Sequence, residues 1–184
     1  MAEKKKFYKI EIPALGKPVE LFGSSLESFN NQTIKLDLTR MLRGKSIEVL
    51  FKINATNEKA SAVPLKLTLL GFFIRRMLRT GIDYVEDSFS ADCKEGKLRI
   101  KPFLIARKKV SRKVRKALRD TAREYITDYI KDKDFNGLIE DILSNKLQKS
   151  LSLKLKKVYP LSLCEIRMVY KEGKDGKISK ERQE

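Results

Sequence analysis

The sequence contains no histidine, which removes Ser-His-Asp and Cys-His catalytic arrangements and every histidine-based zinc site at one stroke. It has only two cysteines, Cys93 and Cys164, too far apart to form a CxxC pair and too few to build a structural zinc site. Free, buried thiols in a reducing compartment are the expectation. No apolar stretch approaches the roughly 18 residues a membrane helix needs. The strongest, "LTLLGFFI" at 67–74, ends at Arg75 and Arg76 and reads as core. The N-terminal "MAEKKKFYKI" lacks the apolar run of a signal peptide, so a cytoplasmic location is expected. Neither GxxxxGK[ST] nor GxGxxG occurs, so nucleotide-phosphate loops are not indicated.

Acidic residues are also scarce. Asp and Glu total 24 against 41 Lys and Arg, a formal charge of +17 over 184 residues. A folded body so charged repels itself unless a polyanion compensates, which points to nucleic acid, with an anionic membrane as rival. The cations recur from end to end, so much of the surface is implicated. At 41% hydrophobic content the chain can bury one substantial core. We read residues 1–170 as one domain and 171–184 as a flexible polar tail.

Alternation marks strands at 7–12, 33–38, 46–54 and 62–69, separated by turn-forming Gly, Pro, Asn and Ser. A short helix is expected at 71–81, then a hairpin in which "IDYVEDSFSADC" and "KLRIKPFLIA" flank Lys94, Glu95 and Gly96. From Val110 the period becomes 3.6, and Val110, Val114, Ala117, Leu118, Thr121, Ala122 and Tyr125 form an apolar stripe extended by Tyr129. A second helix follows Asn136 and Gly137, its end ambiguous between helix and strand over 151–157. Pro160 stops it, and 161–170 returns as a last strand. Strands, then helices, then one strand make an α+β domain.

The stretch 106–125 carries nine Lys or Arg against Asp120 and Glu124. Arg112, Arg115, Lys116, Arg119 and Arg123 fall opposite the apolar stripe, so the helix can dock on a sheet and still present a cationic ridge. An ordinary solvated helix mixes signs at i and i+4, and here the ridge has almost no acidic partners. Segment 81–96 holds five acids and one lysine, whereas 146–159 holds five lysines and no acid. Such segregation suits a protein embedded on one side in RNA, where neutralised phosphates release counterions. Arg75, Arg76 and Arg79, with Lys4, Lys5 and Lys6, are further candidate contacts. No aromatics interleave with the ridge, so backbone recognition is expected there rather than base stacking.

"DKDFNGLIEDIL" at 132–143 matches the early positions of an EF-hand loop but has Leu143 where the bidentate carboxylate belongs. We read it as a helix–helix connection, with Asp134 or Asn136 as cap and Glu140 and Asp141 favoured by the helix dipole. No catalytic residue, cofactor or metal is assigned.

The chain resembles the archaeal and eukaryotic small-subunit ribosomal protein family S3Ae (eS1). The resemblance rests on "FYKIEIP", "TIKLDLTRML", "FIRRMLRTGIDYVED", "DCKEGKLRIKPFLIARKK" and "VYPLSLCEIRMVYK", in that order along nearly the whole chain. Family members carry longer terminal tails and a more polar segment where this chain has "VPLKLTLLGF", so a divergent or reduced member is implied. The resemblance implies a mostly antiparallel, barrel-like sheet packed with a short helix and two longer helices in the C-terminal half, the final strand returning to the sheet. It implies a structural role without catalysis, on the small-subunit platform near the mRNA exit. Implied partners are ribosomal RNA, neighbouring platform proteins and mRNA near the exit, with no membrane. Carried over, the residues facing RNA are Arg75, Arg76, Arg79, Lys108, Lys109, Arg112, Lys113, Arg115, Lys116, Arg119 and Arg123. The rival readings are a free chromatin or RNA-chaperone factor using the same ridge, and a carboxylate-metal nuclease.

Overall fold

The computed structural model describes residues 5–42, 44–56 and 59–172. The chain opens with a hairpin of β1 (Lys6–Ile12) and β2 (Lys17–Gly23), joined by a 3-10 turn at Pro13–Leu15 that ends on Gly16 with φ 62°. β2 was not expected from sequence, because Pro18 and two bordering glycines read as turn signals. Its Val19 and Leu21 nonetheless alternate toward the interior. Gly23 is required at the strand end: a Cβ there would come within 2.3 Å of the Phe29 ring.

β3 (Thr33–Asp37), β4 (Ile47–Ala55) and β5 (Ala60–Leu69) follow as an antiparallel meander. β4 buries Ile47, Val49, Phe51, Ile53 and Ala55 on one face, the period-2 pattern of a strand packed on one side. β6 (Tyr84–Glu86) and β7 (Phe89–Cys93) both pair with the long β8 (Gly96–Ala106), so the first arm of the expected hairpin is broken at Asp87 and Ser88. The C-terminal β9 (Leu161–Lys171) lies between β5 and β8.

The strand order is β2-β1-β5-β9-β8-β6, with β4 carrying β3 alongside β5 and β7 also on β8. Pairing is antiparallel apart from one parallel bridge, Glu11 with Ser61, and the sheet is not closed. Three prolines lie in strands: Pro18 near the start of β2 at the end of the strand order, and Pro64 in β5 and Pro102 in β8, each of these last two next to a register shift. A residue without an N–H is tolerated where a bulge interrupts the ladder.

Among the described residues four α-helices complete the α+β fold: α1 (Gly71–Met77), α2 (Arg112–Lys131), α3 (Phe135–Leu143) and α4 (Lys146–Leu155). α2 packs on β6 and β7, α3 on β5 and α4 on β9, and α4 touches both other long helices. Two corrections to the sequence reading, and one alternative it left open, concern these helices. α2 starts at Arg112 after the Ser111 cap, so Val110 precedes it, and its buried stripe is Leu118, Ala122, Ile126 and Ile130, with Ala117 exposed. The second helix is two, broken at Asn145, which adopts φ 61°, a left-handed conformation asparagine accepts more readily than most residues. Residues 151–155 are helical and 156–158 form a turn, because Leu147, Leu151 and Leu155 share the buried face.

Two buried polar clusters tie these elements together. Lys45 pairs with Glu165 at 2.6 Å and donates to Asn145 Oδ1 at 2.7 Å, while Gln148 Nε2 donates to Glu165 Oε2 and to the Ile142 carbonyl. The loop before β4, the α3–α4 joint and β9 are thereby pinned at one point. Asp141 accepts from Lys133 and, at 3.1 Å, from the Tyr129 hydroxyl. Burial alone would push its carboxyl up, but the bonds from Lys133 and Tyr129 prevail and hold it below the ordinary aspartate range. Asp141 thus serves as an anchor for the end of α2. Asp134 occupies the N-cap of α3 without a side-chain cap bond, and among the described residues no acidic, cysteine or histidine cluster could hold a metal ion.

Both cysteines are free and half-buried, and burial pushes the Cys164 thiol up to about 12, with the Glu165 charge acting in the same direction. β9 continues through Lys171, and the Glu172 amide donates to the Lys97 carbonyl at 2.8 Å. The rest of the expected tail, 173–184, lies outside the described residues.

Replacing Asp141 by Asn removes the charge that Lys133 and Tyr129 address and should cost about 1–3 kcal/mol in denaturant unfolding at neutral pH. Because the folded carboxyl is more acidic than the unfolded one, its contribution is complete above the ordinary aspartate range and fades as pH falls through the lower folded value. The difference between wild type and variant should therefore shrink in acid, and a gap that widened there would contradict the assignment.

Candidate nucleic-acid interface

The ridge is set by the phase of α2. With Leu118, Ala122, Ile126 and Ile130 turned to the sheet, Arg112, Lys113, Lys116, Arg119 and Arg123 are left exposed. Arg112, Lys116, Arg119 and Arg123 stack at spacings of four, three and four residues, a row about 16 Å long at the helical rise. The first turn holds Arg112 and Lys113 and no acid. Cations at a helix N-terminus oppose the macrodipole, so this placement works against helix stability while deepening the positive potential an anion meets. Ser111 Oγ accepts from the Val114 amide and keeps that end wound.

The loop feeding α2 is also held. Asp83 Oδ2 accepts from the Val110 amide at 2.9 Å, and the Asp83 carbonyl accepts from Ala106 at 2.9 Å. Arg107, Lys108 and Lys109 are exposed between those anchors. Arg107 was not chosen from sequence, although it stands in the same basic run.

The candidates divide by what holds them. Arg112, Lys113, Lys116, Arg119, Lys108 and Lys109 make no ion pair with any described residue. Arg123 is committed inward: it forms a two-pronged pair with Asp87, with Nη2 at 2.8 Å from Oδ2, and lies over the Phe89 ring at 5.5 Å. Arg115 is half-buried, and its Nε is shielded without a hydrogen-bond partner.

Arg75 and Arg76 occupy the last turn of α1, where cations suit the helix dipole, but Arg79 lies past the helix end. Arg76 donates to the Gly44 carbonyl and stacks over Phe73. α1 makes no extended packing contact with α2, and instead borders a cleft of about 800 Å³ shared with α4 and the start of β9. Arg76 of α1 thus borders this cleft rather than packing along α2. Lys5 is exposed ahead of β1 and Lys6 begins it, while Lys4 lies outside the described residues.

The acidic segment 81–96 looks different in three dimensions than along the chain. Asp83 anchors the α2 loop, Glu86 pairs with Arg167, Asp87 with Arg123 and Glu95 with Lys171. Most of its acids answer internal groups rather than form a face offered to neighbouring proteins.

Comparison with known proteins shows the family. The Ribosomal S3Ae family model matches residues 2–173. The chain belongs to the ribosomal S3Ae family. It is similar to the small ribosomal subunit protein eS1 of Nanoarchaeum equitans, 28% identical over 90% of this chain and 81% of that protein. It is also similar to those of Haloarcula marismortui, 23% identical over 97% and 88%, and Methanothrix thermoacetophila, 27% over 90% and 82%. Membership makes the chain a structural, ribosome-associated protein and not an enzyme. No described helix is long and apolar enough to cross a membrane.

Ridge cations without internal partners should be dispensable for folding. Arg112→Ala and Lys116→Ala should each change unfolding free energy by less than about 0.5 kcal/mol. Arg123→Ala, which removes the Asp87 pair and the Phe89 contact, should cost about 1 kcal/mol. Equal costs for all three would show that the division between free and committed cations is wrong.

Proposed function

We propose that this S3Ae-family protein is a structural component of the small ribosomal subunit that binds ribosomal RNA through phosphate contacts of the α2 ridge. The carrying observation is that Arg112, Lys113, Lys116 and Arg119 are exposed, free of internal partners and placed at the positive end of a long helix. Nothing in the fold requires them there, and a polyanion supplies what the fold withholds. The loop cations Arg107, Lys108 and Lys109 extend that surface, and Arg75 and Arg79 offer further contacts. Arg123 is assigned a mainly internal role. The family resemblance supports a cytoplasmic ribosome as location, the platform near the mRNA exit as position, and neighbouring platform proteins and mRNA as further partners.

Changing Arg112, Lys116 and Arg119 together to Glu should leave the fold intact by circular dichroism and abolish incorporation into small subunits, read by sedimentation of tagged protein. With isolated RNA, loss of three phosphate contacts should flatten the log–log salt dependence of binding by about 2–3. Normal incorporation of the triple variant would refute the proposal.

A further inference from the structure

The outer face of the β1–β2 hairpin carries an aromatic pair that the core does not use. Phe7 and Phe22 stand directly opposite each other in the register, 70% and 57% exposed, with ring centroids 5.0 Å apart and planes tilted by 49°. Their outward placement is set by strand alternation, since Tyr8, Ile10, Ile12, Val19 and Leu21 take the inner face. Burying the two phenylalanines would require a one-residue slip that expels those five. Cations flank them: Lys5 is exposed just ahead of the strand, and Lys9, on the same face as Phe7, is held only loosely by Glu20 at 3.9 Å. Residues 5–23 hold four lysines and two glutamates.

We propose that this face is a stacking platform for unpaired RNA: a base lies against Phe7 or Phe22 while Lys5 and Lys9 meet the adjoining phosphates. Aromatic rings between cations are the combination by which proteins hold single strands without reading sequence, because every base has a π-face and every linkage a charge. An apolar partner protein would find a patch two rings wide bordered by lysines, a poor match in charge and extent. The proposal rests on the RNA-binding reading of this chain and adds a second mode to it: α2 engages backbone, and the hairpin engages bases that helical RNA leaves unpaired.

The test uses the full-length protein with three RNAs: a blunt stem-loop, the same stem-loop with a short unpaired extension containing 2-aminopurine, and the extension alone. Binding should change 2-aminopurine fluorescence and favour the extended stem-loop over the blunt one. Phe7→Leu with Phe22→Leu should abolish the fluorescence change and weaken binding of the extended RNA about tenfold, leaving the blunt stem-loop unaffected. Phe→Tyr at both positions should restore both signals. Both side chains are exposed, so the variants fold, and leucine keeps apolar area, so a hydrophobic protein contact would survive it. No fluorescence change with wild type, or leucine variants that bind the extended RNA undiminished, overturns the platform. Failure of the blunt stem-loop to bind counts against the ridge instead, and the extension alone still decides the hairpin.

Discussion

The fold depends on where its last strand lies. β9 enters between β5 and β8 and pairs with both, so a C-terminal segment completes a sheet begun far earlier in the chain. That insertion gives α4 its seat, and α4 in turn supports α2 and α3. The Lys45–Glu165 pair, joined by Asn145 and Gln148, secures the same strand to the loop before β4 and to the α3–α4 joint. Charges buried this deeply are costly to leave unpaired, so the cluster favours this arrangement over alternatives that would separate its members.

Electrostatics then separates into internal and external parts. Four acids of 81–96 fasten β9, α2 and its leading loop by pairing with Arg167, Arg123, Lys171 and the Val110 amide. Glu172 does the same at the sheet's far end, its carboxyl held low by the hydrogen bond from Arg99. These pairings engage some of the scattered cations, while Arg112, Lys113, Lys116 and Arg119 of the ridge make no ion pair with any described residue.

How much was legible in advance varied with the physics behind each signal. Strands with clean alternation, such as β4, were readable because one buried face imposes a period of two. β2 was missed because Pro18 and its bordering glycines signal a turn locally, while the pairing with β1 that makes it a strand is a property of two segments. The α3–α4 break was hidden because Leu138, Ile142, Leu147 and Leu151 suit one continuous stripe as well as two helices. Phe7 lay in an expected strand and Phe22 in the missed β2, and neither sequence neighbourhood shows that the rings meet across strands on the outer face.

Composition and periodicity alone determined that this is an α+β protein with a large cationic surplus, because net charge and the switch from period two to 3.6 are properties of the chain itself. Tertiary structure alone decided which cations are free. Arg119 and Arg123 are indistinguishable in sequence, one turn apart on the same face, yet only Arg123 comes within reach of Asp87. A side chain's partner is set by which distant strand folds beside it, and that information is carried by packing, not by neighbours along the chain.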